Sequence, residues 1–214
     1  MNNLTDRRIK VKVCGITRLS DAEALDALKI DYLGFNFHPK SKRYVEPRKA
    51  AEMIARLKNA EPVGVFVDVS PEHIAEVAAT TGIRWIQLHG NESWDVLKHV
   101  SLPVIKDIPH VRINDFGGLR TGWNEHGDKQ PRYFLVDTQA DSEFGGSGKA
   151  FDWSLLKSNP LPCPFFLAGG LGPENLGAAL KTVTPYAVDL NSKVETAPGI
   201  KDVELVLRCQ EIVG

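Results

Sequence analysis

The sequence of 214 residues predicts an α/β protein whose eight parallel strands close into a single-domain (β/α)8 barrel over residues 1–214. Three observations predict it. Short, apolar, β-rich runs recur eight times along the chain. Each is followed by an amphipathic helical pattern or by a connection able to hold one, as parallel strands joined by crossovers require. No Gly-x-Gly-x-x-Gly fingerprint follows the first strand, which leaves an open, doubly wound sheet the weaker alternative. Eight such units in a chain of this length close most naturally as a barrel.

The predicted strands are Ile9–Cys14, Tyr32–Phe37, Pro62–Val67, Trp85–His89, Val104–Ile108, Arg132–Asp137, Phe165–Ala168 and Ala187–Leu190. Helical periodicity fills most of the gaps. Asp21–Leu28 aligns Ala24, Leu25 and Leu28, while Pro47–Leu57 opens on a proline and puts Ala50, Ala51, Ile54 and Leu57 on one face. Ser70-Pro71-Glu72-His73 starts a helix with a serine cap and a proline in the first turn, sending Ile74, Val77 and Ala78 inward. Glu92–Val100, Asp152–Lys157, Pro173–Lys181 and Lys201–Val213 also read as helices, whereas Pro109–Gln130 reads mostly as loop.

Composition narrows the function class. Twenty-six basic residues against twenty-seven acidic ones give a formal net charge of -1, without the basic excess of a nucleic-acid binder. Met1–Arg8 is polar and charged, unlike a signal peptide, and no apolar run approaches the ~20 residues that span a bilayer. Cys14, Cys163 and Cys209 are odd in number and lack metal-ligand spacing, so a reducing cytoplasm is expected. The expectation is a cytoplasmic enzyme with no nucleic-acid or membrane partner, as a monomer or homodimer.

A parallel barrel gathers the C-terminal ends of its strands on one face, where chemistry is done. Those ends are Cys14, the Phe37–Arg43 loop, Asp68, His89, Asp137, Gly169-Gly170 and Asn191-Ser192-Lys193. Each has an ordinary reading beside a functional one. Cys14 is an active-site thiol or a buried structural one. Asp137 is an acid or a strand-end cap bonding loop amides. The Lys40-Ser41-Lys42-Arg43 cluster is a binding loop or a solvated basic face. Gly169-Gly170 lets a backbone approach phosphate or simply turns the chain. His89 lines a pocket or is a satisfied structural histidine. Phe144–Lys149 is glycine-rich without Walker spacing and suits a mobile lid. Cys163 lies between prolines and Cys209 on the apolar C-terminal helix, and both read as structural.

Several segments occur in a telling order. They are Lys12-Val13-Cys14-Gly15-Ile16-Thr17-Arg18, Gly34-Phe35-Asn36-Phe37-His38-Pro39-Lys40-Ser41-Lys42-Arg43-Tyr44-Val45, Gly64-Val65-Phe66 and Gln87-Leu88-His89-Gly90. Leu135-Val136-Asp137-Thr138, Gly145-Gly146-Ser147-Gly148-Lys149, Leu167-Ala168-Gly169-Gly170-Leu171 and Val194-Glu195-Thr196-Ala197-Pro198-Gly199-Ile200-Lys201-Asp202 follow. Each is weak alone. Together, from Lys10 to Asp202, they resemble the phosphoribosylanthranilate isomerase family of tryptophan biosynthesis.

The resemblance implies an Amadori rearrangement of N-(5-phosphoribosyl)anthranilate with neither metal nor redox cofactor. It implies Cys14 as general base, Asp137 as general acid and Arg43 on the substrate carboxylate, which a guanidinium can grip bidentately. The loops after the last two strands are expected to hold the phosphate through Gly169, Gly170, Asn191, Ser192 and Lys193, while His89 either lines the pocket or is a satisfied structural histidine. Asn191-Ser192-Lys193 departs from the family's usual Ser-Ser-Gly, so the lysine either adds a charge or points to solvent.

A free thiol titrates near ~8.5 and a free carboxyl near ~3.9, so Cys14 needs a cation or dipole and Asp137 needs burial or an anion. Lys12, two positions back on the same strand face, is expected beside Cys14. Two other readings compete. A metal-dependent epimerase would want a His/Asp ligand set, for which only His89 is well placed. A non-catalytic phosphosugar-binding barrel would tolerate loss of Cys14 or Asp137, and both are present.

Overall fold

The computed structural model describes residues 8–109, 129–137 and 161–214, with Trp123, Trp153 and Leu156. Most of the 109–130 connection, the glycine-rich 144–149 segment and most of the expected 152–157 helix lie outside these residues.

Eight strands form at the eight short apolar runs: β1 (Lys10–Cys14), β2 (Tyr32–Asn36), β3 (Glu61–Phe66), β4 (Trp85–Leu88), β5 (Val104–Pro109), β6 (Tyr133–Asp137), β7 (Phe165–Ala168) and β8 (Ala187–Leu190). They pair in chain order, all parallel, and β1 pairs with β8 to close the barrel. Closure removes the exposed strand edges of an open sheet.

Helices α1 (Leu19–Ala27), α2 (Pro47–Ile54), α3 (Pro71–Thr81), α4 (Leu176–Thr182) and α5 (Val203–Val213) lie between strands or after β8. In α3 the Ser70 side chain accepts the His73 N–H, Pro71 occupies the first turn, and left-handed Gly82 ends the helix.

Three helical expectations change. Glu92–Val100 is a 3-10 turn, Trp94–Lys98, because Pro103 and β5 follow too soon for a longer helix. The helix expected from Pro173 begins at Leu176, since the Asn175 side chain is used upstream: it accepts from Gly172 N and donates to Gly170 O. The last helix begins at Val203, capped by Asp202, because Ile200–Lys201 pairs with Glu195–Ala197 in a short antiparallel hairpin. These two hairpin strands are β9 (Glu195–Ala197) and β10 (Ile200–Lys201).

Strand alternation divides the core in two. One parity, with Val11, Val13, Leu33, Phe35, Ile86 and Leu88, packs outward under the helices. The other, with Tyr32, Val63, Ile105, Tyr133, Leu135 and Phe166, fills the barrel itself.

Candidate active site

At the C-terminal mouth of the barrel is a cavity of about 180 Å³. Its lining follows the inward parity of the strands: Gln87 and His89, Leu135 and Asp137, Ala168 and Gly170, Asp189 and Asn191. Cys14, Arg43, Gly169 and Ser192 complete the group named from sequence. Two larger cavities, about 740 and 1160 Å³, lie at the opposite end against Tyr133 and Tyr186. The thiol in both, Cys163, is pushed up to about 12 by burial.

Cys14 ends β1 with its side chain inside the barrel. The neighbouring position on β2 is Gly34, where a Cβ would lie 2.8 Å from the Cys14 Sγ. The glycine therefore makes the space that the thiol occupies. Burial raises the thiol above its ordinary pKa; Lys12 and Lys201 pull it down, and Asp189 pushes it up. Burial thus favours the thiol over the thiolate.

Lys12 stands one inward position below Cys14, as expected, and is completely buried. Its Nζ donates to Asp189 Oδ2 at 2.7 Å, across the directly paired Lys12 and Asp189 of β1 and β8. Burial opposes the lysine's charge, but Asp189 and Cys14 outweigh it and hold the Lys12 pKa above its usual value. Asp189 was not singled out from sequence, because it sits one residue before the strand end. The inward parity that identifies Gln87 below His89 would have found it.

Arg43 is gripped by Glu195: Nε lies 2.9 Å from Oε1 and Nη2 lies 2.6 Å from Oε2, leaving Nη1 outside the pair. Lys201 Nζ also reaches Glu195 Oε1 at 2.7 Å and Asn191 Oδ1 at 3.2 Å. Burial would raise the Glu195 pKa, but these cations hold it below the usual carboxylate range. The β9–β10 hairpin thus orients Arg43 from 152 residues away. A Pro198-Gly199 turn signal was the available hint of that hairpin.

His89 Nδ1 lies 3.0 Å from Asp107 Oδ2, so this histidine both lines the cavity and has a structural partner. Burial would lower its pKa, but the bond and charge of Asp107 raise it above the ordinary value. Gly169 and Gly170 both take positive φ, +94° and +61°, a left-handed path open to glycine. Asn175 pins this loop.

Lys193 is exposed and stands outside the 180 Å³ cavity. It lines a separate crevice of about 210 Å³ with Gly172, Asn175 and Arg208, its Cβ packed where a side chain on Gly172 would go. The structure brings Gly169, Gly170, Asn191 and Ser192 together but turns Lys193 aside. The short 3-10 turn Ser192–Val194 explains this, since consecutive residues of a helical turn point different ways.

Fold and site first define a class: a (β/α)8 barrel carrying a thiol and a carboxyl at the mouth where barrel enzymes act. Comparison with known proteins makes it particular. Residues 11–211 match the family model of N-(5'phosphoribosyl)anthranilate (PRA) isomerase. The chain is 42% identical over 200 residues to N-(5'-phosphoribosyl)anthranilate isomerase of Myxococcus xanthus, covering 92% of each. It superposes on the crystal structure of phosphoribosyl anthranilate isomerase from Thermotoga maritima with a TM-score of 0.83 at 36% identity, covering 96% of this chain and 98% of that one. A phosphoribosyl anthranilate isomerase in complex with reduced 1-(o-carboxyphenylamino)-1-deoxyribulose 5-phosphate also superposes, with a TM-score of 0.80 at 33% identity and the same coverage. The chain belongs to the PRA isomerase family, and it is an isomerase.

Proposed function

We propose that this enzyme converts N-(5-phosphoribosyl)anthranilate to 1-(2-carboxyphenylamino)-1-deoxyribulose 5-phosphate, in the cytoplasm, with residues 1–214 as one catalytic domain. The observation that carries the reading is the shared cavity of Cys14 and Asp137, on strands three apart around the closed barrel. A substrate between them meets one group on each side.

The chemistry then follows from charge. Asp137, as its acid form, gives a proton to the furanose ring oxygen; the C1–O bond breaks and the nitrogen lone pair forms C1=N⁺. This cation beside Cys14 joins Lys12 and Lys201 in favouring the thiolate, which burial disfavours. Cys14 takes the C2 proton, the C–H electrons form C1=C2, and the nitrogen charge is neutralised. Tautomerisation moves a proton onto C1 and leaves a C2 ketone. Lys12 is thereby a positioning residue for the thiol. Arg43, held by Glu195, offers Nη1 to the anthranilate carboxylate. Gly169, Gly170, Asn191 and Ser192 hold the phosphate, as loops after the last two barrel strands commonly do.

The test is to supply N-(5-phosphoribosyl)anthranilate, follow loss of its fluorescence and identify the product by mass and absorbance. Stoichiometric conversion to the deoxyribulose phosphate is expected. No enzyme-dependent consumption would overturn the reading in favour of another sugar-phosphate isomerase.

A further inference from the structure

A buried acceptor without a donor is uncommon, because its desolvation is uncompensated. Asp189 Oδ1 is one among the described residues: the side chain is 6% exposed, Oδ2 is held by Lys12, and Oδ1 has no partner. Asp189 also lines the active-site cavity. Asp189 Oδ2 accepts from Lys12 Nζ at 2.7 Å, so Asp189 stands at the cavity as a hydrogen-bond acceptor. It wants a hydrogen-bond donor.

Geometry says which one. Lys12 and Asp189 are direct partners in the β1–β8 ladder, and Cys14 is the next inward residue along β1. Adjacent strands lie about 4.8 Å apart. A sugar carbon with its hydrogen against Cys14 Sγ turns its other three substituents away from the thiol, and rotation about the C–H axis brings one of them toward Asp189 on the adjacent strand. Of these substituents, the hydroxyl is the one that donates.

We infer that Asp189 Oδ1 accepts the hydrogen bond of the ribosyl C2 hydroxyl, on the same carbon that Cys14 deprotonates. The inference rests on the reaction proposed above. The bond fixes rotation about C2 so that its hydrogen faces the thiolate, and it places a carboxylate near the C1=N⁺ cation. It also makes the site specific for a sugar bearing that hydroxyl, since a deoxy analogue leaves Oδ1 unpaired.

The experiment measures binding of reduced 1-(o-carboxyphenylamino)-1-deoxyribulose 5-phosphate and of its counterpart lacking the C2 hydroxyl. The proteins are wild type, Asp189→Asn and the double variant Lys12→Met/Asp189→Leu. The double variant replaces a buried ion pair by apolar groups of similar size, a change that folds commonly tolerate. Removing the hydroxyl is expected to weaken binding to wild type about 10- to 100-fold, the range for hydrogen bonds to charged groups. The penalty should shrink below about 3-fold in the double variant and fall between in Asp189→Asn. Equal penalties in wild type and both variants overturn the inference while leaving the reaction intact. Failure of wild type to bind either compound or turn over N-(5-phosphoribosyl)anthranilate overturns the reaction, and this inference with it.

Discussion

The two ends of the barrel interior are built on opposite principles. At the N-terminal end Tyr133 and Tyr186 stack at 4.3 Å, Tyr32 meets Phe166 edge-on at 5.3 Å, and the Tyr32 and Tyr186 hydroxyls bond to each other at 3.0 Å. Carboxylates among the described residues at that end are matched. Asp31 accepts Lys10 Nζ and Val11 N, and Asp26 accepts the N–H groups of Lys58, Asn59 and Ala60. At the C-terminal end, Gln87 Oε1, Asp107 Oδ1 and Asp189 Oδ1 are buried without partners, among ion pairs around a thiol. One end is matched as folded; the other leaves acceptors open beside the cavity where the proposed substrate would sit. Stability and chemistry therefore separate along a single axis.

The sharpest attack on that separation is Phe166→Ala. It removes a fully buried ring from the lower interior and should cost about 3–5 kcal/mol in urea unfolding, with kcat per folded molecule changed less than about 2-fold. Loss of turnover in the folded fraction would break the comparison. Next comes Asp26→Ala, which strands three backbone donors just before β3 and should cost about 2–3 kcal/mol, again without changing kcat.

The smallest effect is a pH slope at the upper end. The folded His89 pKa is raised, so its pairing with Asp107 stabilises fully below the unfolded value near ~6.5. That contribution is lost as pH climbs through the raised folded value. Asp107→Asn should flatten this part of the stability-against-pH curve and leave the acid limb below pH ~4 in place. An unchanged slope would show that the pair contributes nothing.

Much of this was legible in the chain. The eight strands were legible because each short apolar run has nowhere to bury but a sheet, and Cys14, His89 and Asp137 because a parallel barrel sends every strand end to one face. What stayed hidden depends on distance or on a single turn. Glu195 reaches Arg43 across 152 residues, which no local pattern encodes. Lys193 misses the cavity because the 3-10 turn after Asn191 rotates its side chain away. Asp189 lay one inward step below the positions that strand ends make conspicuous.

The claim at the centre is that Cys14 and Asp137 divide the proton transfers between them. Its most direct measurement is kcat/KM for Cys14→Ala and Asp137→Asn, with circular dichroism and unfolding curves confirming that each variant is folded. A loss of about 10²- to 10⁴-fold in each, at near wild-type stability, is predicted for a general base and a general acid. Full activity in either folded variant would contradict the account.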